Sequence, residues 1–222
     1  MTEPPPSPST QRQIVADREP PTLPLVGLDI ETDTRHDGLD PSRSSIVAVA
    51  VSGAGFEFVF DGDEIELLLA IDHALADLPA SVLVTWNGGG FDLPFMTRRA
   101  EMLGVNLGLW TEFDPSIPGN HEPLPGEPAR VRARWYHHAH LDGYQMFRSD
   151  VGQSLPVSCG LKPLARFVGL AVVEVDREQI HQLSIDERRA YVASDARLAR
   201  TLAARRSDHH RWIDQLPSSR GS

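Results

Sequence analysis

The segment Leu25-Val-Gly-Leu-Asp-Ile-Glu-Thr32 combines the apolar pattern of a buried strand with two carboxylates. In a strand, residues i and i+2 point to the same side of the sheet, so Asp29 and Glu31 are expected side by side. Two like charges at the end of a buried strand are unfavourable unless a cation or a proton compensates them. A strand that simply ends here, with exposed last residues, would explain the same pattern, and the pair alone leaves both interpretations open.

The bulk properties of the 222-residue chain restrict its class. With 41% hydrophobic residues it has enough apolar surface for one globular domain. The net charge of −10 excludes nucleic-acid binding through overall positive charge, so a polyanion would have to meet a local basic surface or metal ions. The lone Cys159 excludes an intrachain disulfide and a cysteine-based metal site, which favours a cytoplasmic location. The sequence has neither a signal peptide nor an apolar run of about 18 residues, so no membrane partner is expected.

Composition also predicts the domain limits. Residues 1–22 are rich in Pro, Ser and Thr without periodicity, which predicts a disordered N-terminal arm. Residues 23–215 are expected to form the folded domain, and residues 216–222 a flexible tail. Only 27 residues follow Asp195, so we expect no attached polymerase module.

Hydrophobic periodicity predicts an α/β fold with a mixed sheet. Three strands, over 24–31, 45–51 and 56–60, are expected to form an antiparallel meander. The segment 111–134 contains several Pro and Gly and is expected to be a long loop. Ser184 and Glu187 have the spacing of a capping box at the start of the last helix. The other predicted elements are helices over 65–78, 92–103, 144–147, 160–169 and 184–206 and strands over 81–86 and 135–141.

Two further acidic motifs are weak when taken alone. Asp92 follows a buried strand and a Gly-rich turn, at a helix start where the helix dipole favours its charged form. An ordinary acid at a helix N-terminus would look the same, and the turn lacks both phosphate-binding glycine signatures. Tyr191 and Asp195 are spaced i and i+4 on the last helix and share one face. An exposed Asp195 paired with neighbouring arginines would explain that motif equally well.

In combination these motifs resemble a known family. Three segments, in this order, resemble the three exonuclease motifs of the DEDD superfamily: Asp29-x-Glu31, Asn87-x-x-x-Phe91-Asp92 and Tyr191-x-x-x-Asp195. The tyrosine spacing resembles the DEDDy branch, which includes ribonuclease D and the proofreading domains of family-A and family-B DNA polymerases; the meander and the second motif most resemble the family-B group. Gly160-Leu-Lys-Pro-Leu-Ala165 also resembles a helix of ribonuclease D-like chains. The resemblance covers about residues 24–206 and implies a ribonuclease H-like fold, a mixed sheet flanked by helices.

The resemblance also implies a function and a cofactor. The expected activity is metal-dependent 3′–5′ exonuclease action on single-stranded DNA or RNA 3′ ends, releasing nucleoside 5′-monophosphates. All-oxygen ligands select Mg²⁺ or Mn²⁺, and two ions are expected in the site. Tyr191 would orient the attacking water. By resemblance the metal ligands have distinct roles: Asp29 bridges both ions, Glu31 and Asp195 hold the ion that generates the nucleophile, and Asp92 supports the other.

Several weaker signals stay open at this stage. Asn87 could hydrogen-bond a nucleotide or cap its own turn, and Phe91 could stack on a terminal base or pack in the core. The resemblance makes both candidate substrate-binding residues. Asp142 could lie near the metals or merely end a strand. His138 and His140, beside His137, share a strand face and could bind zinc, but no further ligand is evident from spacing, which favours solvent-facing or core histidines.

Alternative functions also remain. Arg130, Arg132 and Arg134 alternate and could grip phosphates or protect an exposed edge strand. The chain could be a non-catalytic nucleic-acid-binding module that retains the exonuclease fold. It could also be an endonuclease of the ribonuclease H type, which would cleave circular or end-blocked substrates that an exonuclease cannot attack.

Overall fold

The computed structural model describes residues 23–114 and 130–214, which form one seven-stranded sheet with helices on both faces. The strands are β1 Leu25–Thr32, β2 Ile46–Gly53, β3 Phe56–Asp61, β4 Val82–Thr85, β5 Leu109–Phe113, β6 Val131–Trp135 and β7 His138–Asp142. The helices are α1 Glu64–Asp77, α2 Asp92–Leu103, α3 Gly143–Arg148, α4 Val151–Ser154, α5 Leu161–Phe167 and α6 Ile185–Ala204, with 3₁₀ helices Arg177–Gln182 and His209–Trp212. The predicted arm 1–22 and tail 216–222 lie outside the described residues.

The sheet has the order β3-β2-β1-β4-β7-β6-β5 and is mixed, as the sequence predicts. Strands β1, β2 and β3 pair antiparallel and form the expected meander. Strand β4 runs parallel to β1 on one side and to β7 on the other. The carboxyl ends of β1 and β4 therefore meet at one end of the sheet, where open α/β sheets place their ligands.

The prediction of a long loop over 111–134 was wrong at both ends. Leu109–Phe113 and Val131–Trp135 are paired antiparallel strands, and the segment 115–129 between them lies outside the described residues. The single strand predicted over 135–141 is also wrong, because a turn with Tyr136 at φ +50° separates β6 from β7. In β6 the alternating apolar side chains are buried, but their arginine neighbours and the Pro-rich segment before them hid this period.

The two sides of strand β1 pack against different helices. Val26, Leu28 and Ile30 are buried in the core cluster that includes residues of α1 and α2. Gly27 faces helix α6, because a Cβ at this position would lie 1.9 Å from the carbonyl oxygen of Ala196. Alternation along the strand puts Asp29 and Glu31 on that same side.

Helix α6 is fixed over the sheet by its start and by its small residues. The capping box predicted from the sequence is present: the Ser184 hydroxyl accepts the Glu187 N–H, and the Glu187 carboxylate accepts the Ser184 N–H. Alanines of α6 pack against alanines of β2 in a separate core cluster. No helix within residues 23–114 and 130–214 has the length and apolar character needed to span a lipid bilayer.

Candidate active site

Three carboxylates converge where β1 ends beneath α6. Asp29, Glu31 and Asp195 each offer one oxygen within 4.8 Å of the other two. The first two are partly buried and Asp195 is buried. The close approach of α6 at Gly27 brings Asp195 over the strand end, so residues separated by about 165 positions in sequence form one cluster.

Asp92 lies next to this cluster in a different way. Its Oδ1 accepts a hydrogen bond of 3.2 Å from the backbone N–H of Ile30. Pairing between β1 and β4 stops at Gly27 and Val84, so this N–H lies beyond the last pair and the carboxylate takes the place of a neighbouring strand. Asp92 is outside the set of three oxygens within 4.8 Å, yet its charge contributes to the electrostatics of Asp29.

Burial and mutual repulsion disfavour the state in which all four carboxylates are ionised. Burial raises the pKa of Asp29 well above its usual value, and repulsion from Asp92, Asp195 and Glu31 raises it further. Burial raises the pKa of Glu31 to about 8 and that of Asp92 to about 7, where the Ile30 hydrogen bond acts in the opposite direction. Burial also raises the pKa of Asp195, which Lys162 partly offsets. At neutral pH such a cluster must share protons or bind cations.

The donor set fits a divalent metal ion. The cluster offers carboxylate oxygens, the ligands that select hard cations such as Mg²⁺ and Mn²⁺. Oδ1 of Asp195 is buried and has no hydrogen-bond partner within the described part of the chain. A buried acceptor without a partner is costly, and a metal ion would satisfy it.

Tyr191 lies one turn before Asp195 on α6, and two cationic side chains contact its ring and its hydroxyl. Nζ of Lys162 lies 3.6 Å from the centroid of its ring, and Nε of Arg177 donates a 3.1 Å hydrogen bond to its hydroxyl. Burial raises the pKa of the hydroxyl well above its usual value, and the negative charges of Glu31 and Asp195 add to this. The hydroxyl therefore keeps its proton at neutral pH.

Lys162 is a site residue that the sequence did not identify as such. It is buried near the start of α5, and its Nζ lies 3.2 Å from Oδ2 of Asp195. Burial lowers the pKa of its ammonium group, and Asp195 opposes that shift. One signal was available: Lys162 is the only lysine of the chain and lies within the ribonuclease D-like segment. Arg177, in a charged stretch without periodicity, gave no comparable signal.

The Gly-rich turn after β4 is organised by Asp142. Its carboxylate accepts the N–H groups of Asn87 at 3.0 Å and Gly89 at 3.3 Å, and also caps α3 through the Tyr144 N–H at 3.0 Å. Gly89 has no room for a side chain, because a Cβ would lie 2.8 Å from the carbonyl oxygen of Val131. Asp142 thus holds the turn from which Asp92 projects, and its strand-end position has a structural function.

The two predicted substrate-binding residues lie in this turn and already contact the protein. Asn87 has φ of +70°, and its side-chain oxygen accepts a 2.9 Å hydrogen bond from Arg130. Phe91 is partly buried against the main core, with its ring 5.4 Å from that of Phe95. Both residues stay predictions for substrate contact.

Two histidines of β7 and two of the three arginines in or next to β6 contact other residues of the fold. His138 bonds to the Ser81 hydroxyl and the Leu75 carbonyl, and His140 bonds to Thr85 and Asp214, so both are core histidines. The edge-strand interpretation of the three arginines was wrong, because β6 lies between β7 and β5. Of the three, Arg130 is buried beside Asn87 and Asp142, whereas Arg132 pairs with Asp114.

Comparison with known proteins finds similarity to the exonuclease domains of family B DNA polymerases. The family model for the exonuclease domain of DNA polymerase family B matches residues 55–162. DNA polymerases of Thermococcus aggregans and Pyrococcus glycovorans are each 25% identical over 141 residues, or 58% of this chain. The family B DNA polymerase of Pyrobaculum calidifontis superposes with a TM-score of 0.63 and 22% identity over 84% of this chain. This likeness shows the ribonuclease H-like fold.

The matches cover a small part of the relatives. The chain spans 7% and 17% of the two curated polymerases and 25% of the solved structure. The matched range 55–162 contains Asp92 and Lys162, while Asp29, Glu31 and Asp195 lie outside it. The fold brings these outer residues to the matched part, through the contacts of Ile30 with Asp92 and of Asp195 with Lys162.

Proposed function

We propose that this chain is a metal-dependent 3′–5′ exonuclease of the DEDD type, because it resembles the exonuclease domain of family B DNA polymerases in sequence and fold. It hydrolyses single-stranded 3′ ends and releases nucleoside 5′-monophosphates. The observation that carries the proposal is the convergence of Asp29, Glu31 and Asp195 within 4.8 Å, with a buried Asp195 oxygen that lacks a partner. That arrangement is costly for a purely structural site.

The carboxylates would hold two Mg²⁺ or Mn²⁺ ions. Asp29, central among the repelling charges, is the ligand proposed to bridge both ions, with Glu31 and Asp195 on one ion and Asp92 supporting the other. When bound, two such ions activate a water and stabilise the leaving 3′-oxygen. They also supply the local positive charge that a chain of net charge −10 needs to bind a polyanion.

The remaining site residues orient the reactants. Tyr191, protonated and one helical turn from Asp195, would donate a hydrogen bond to the attacking water. Lys162 holds Asp195 and the Tyr191 ring in place through its ammonium group. Phe91 and Asn87 flank the three glycines of the turn. Phe91 is proposed to stack on the terminal nucleotide and Asn87 to hydrogen-bond it.

The substrate is proposed to be single-stranded nucleic acid, DNA or RNA. The relatives are DNA polymerases, which makes a DNA 3′ end the first substrate to test. A cytoplasmic location is part of the same proposal and rests on the lone Cys159.

The decisive experiment is degradation of a 5′-labelled single-stranded oligonucleotide with Mg²⁺ or Mn²⁺. We expect a ladder of products shortened from the 3′ end, with nucleoside 5′-monophosphates released. Asp29→Ala should lower the rate at least about 100-fold, the scale of removing one electrostatic group from a catalytic site. Asp77→Ala, which removes an exposed carboxylate of α1, is the matched control and should retain wild-type activity.

The same assay separates the alternatives. A non-catalytic binding module would bind the oligonucleotide without any ladder under either metal. An endonuclease of the ribonuclease H type would cleave circular or 3′-blocked strands. A ladder that persists unchanged in Asp29→Ala would assign the activity to a contaminant and contradict the proposal.

A further inference from the structure

Arg177 makes a hydrogen bond that constrains the active-site tyrosine. Its Nε donates to the Tyr191 hydroxyl at 3.1 Å. A tyrosine hydroxyl has one proton to donate and accepts through its oxygen lone pairs. Since Arg177 is a donor only, the Tyr191 oxygen accepts in this hydrogen bond, and its proton points away from Arg177.

The 3₁₀ helix Arg177–Gln182 is anchored so that this hydrogen bond is held in place. Asp176 caps its start by accepting the Glu178 N–H at 3.0 Å. Ile180 is buried, and the His181 N–H donates to the Thr34 hydroxyl. Thr34 lies two residues after the end of β1, so the chain next to Asp29 and Glu31 also fixes the segment that carries the arginine.

Arg177 also borders open space beside the site. With Lys162 and Arg166 it lines a cleft of about 370 Å³ between α5 and the segment that precedes the 3₁₀ helix. Lys162 contacts the face of the Tyr191 ring, and Arg177 contacts its hydroxyl. Two cationic residues that line the cleft therefore hold one aromatic side chain. Arg166 lines the same cleft but pairs with Glu174, which makes it a matched comparison.

We propose that Arg177 is a positioning residue of the exonuclease reaction, which directs the Tyr191 hydroxyl proton toward the attacking water. It acts through Tyr191 and transfers no proton itself. The inference rests on the proposed function and adds a residue to it. A direct phosphate-binding function of Arg177 is the competing interpretation, and it would affect substrate affinity, not the chemical step.

A double-mutant cycle tests the proposal. Rates on a 5′-labelled single-stranded oligonucleotide are measured for wild type, Arg177→Ala, Tyr191→Phe and the double variant. We expect Arg177→Ala to lower kcat about 10- to 100-fold with KM within about twofold, the scale for outer partners of catalytic groups. In the Tyr191→Phe background, Arg177→Ala should lower kcat by less than about twofold, because the hydroxyl that Arg177 orients is absent. Arg166→Ala should leave kcat within about twofold of wild type.

A spectroscopic readout in the metal-free protein makes the test independent of activity. The chain has three tyrosines, so ¹³Cζ-tyrosine labelling gives three signals, and Tyr191→Phe assigns the relevant one. Arg177→Ala should shift the Tyr191 signal and leave the other two unchanged, while Arg177→Lys should shift it less. Arg166→Ala should move none of the three.

The outcomes separate this inference from the proposed function. Independent, multiplicative losses in the cycle, a loss confined to KM, or an unshifted Tyr191 signal in Arg177→Ala would each overturn the positioning proposal while leaving an active exonuclease. A wild-type protein without metal-dependent activity would instead overturn the proposed function.

Discussion

Gly27 of β1 lies directly against the backbone of Ala196 in α6, so close that a Cβ would lie 1.9 Å from the carbonyl oxygen and 2.7 Å from the carbonyl carbon. The contact is with backbone and not with the end of a flexible side chain, so it cannot be relieved by a rotamer change. The contact between Gly27 and Ala196 sets the distance from Asp195 on α6 to Asp29 and Glu31 on β1. One glycine therefore determines how closely the helix carboxylate approaches the strand carboxylates.

We predict that Gly27→Ala lowers the free energy of unfolding by about 1–3 kcal/mol, the usual cost of overpacking a core, and also reduces activity. The added methyl group must push α6 away from β1 and widen the carboxylate cluster. Urea denaturation and the oligonucleotide assay measure the two effects. Gly160→Ala, whose Cβ would meet its neighbours at ordinary contact distances of 3.4 Å or more, is the control and should change stability by at most about 1 kcal/mol.

The carboxylate cluster predicts a pH dependence of stability in the metal-free protein. Glu31 has its pKa raised by burial from 4.5 to about 8, and Asp92 from 3.8 to about 7. The folded state binds these protons more tightly than the unfolded state, so their contribution to stability is complete below about pH 4 and is lost as the pH rises to about 8. Urea denaturation in EDTA between pH 5 and pH 8 should show this decline.

The matched variant for that decline is Glu31→Gln, which keeps the side-chain size and removes the titrating proton. Its stability should fall less steeply over the same pH range than that of wild type. His140, paired with Asp214, is retained in both proteins, so its titration cancels in the comparison. Equal slopes in the two proteins would contradict the electrostatic description of the site.

Metal binding should reverse the destabilisation. A ligand that binds only the folded state stabilises by an amount that grows with its concentration, about 2.7 kcal/mol at 100 times Kd. Mg²⁺ or Mn²⁺ should therefore raise the Tm of wild type at pH 8, and the increase should be smaller at pH 5, where protons compete for Glu31. Asp29→Asn should lose most of the increase. An identical Tm in EDTA and in saturating metal would exclude the proposed ligand set.

The sequence predicted the elements whose periodicity is strong and local. Helix α6, with its capping box at Ser184 and Glu187, and the meander of β1 to β3 were predicted to within two residues. Strands β5 and β6 were missed because they pair with each other although the Pro-rich segment 115–129 separates them in sequence. Local composition does not indicate such a pairing. Tertiary context decided these strands.

The same division applies to the site. The acidic motifs predicted where carboxylates would gather, because a strand alternation and a helical i, i+4 spacing are readable locally. The cations around Tyr191 were not predictable in this way. Lys162 reaches Asp195 from another helix, and Arg177 reaches Tyr191 from a 3₁₀ helix, so neither contact leaves a spacing in the sequence.

Asp142 should act on structure and not on metal binding. Asp142→Ala removes the acceptor for the N–H groups of Asn87 and Gly89 and the N-terminal cap of α3, and a lost cap alone costs about 0.5–2 kcal/mol. We expect lower stability in urea denaturation but an increase in Tm with Mn²⁺ similar to that of wild type. Loss of that metal-induced increase would instead indicate that Asp142 contributes to the metal site.

Lys162 links the acid of α6 to its tyrosine, and its replacement should separate catalysis from folding. Lys162→Met keeps the length of the side chain but removes the ammonium group 3.2 Å from Asp195 and 3.6 Å from the Tyr191 ring centroid. Asp195 then loses the charge that offsets its raised pKa, so it binds protons more tightly and metal more weakly at neutral pH. We expect activity about 10- to 100-fold below wild type at pH 7 and a smaller deficit at higher pH, which favours the ionised form of Asp195. Rates measured from pH 6 to pH 9 check this shift, and an activity deficit that is constant across that range would show that Lys162 acts on substrate binding and not through Asp195.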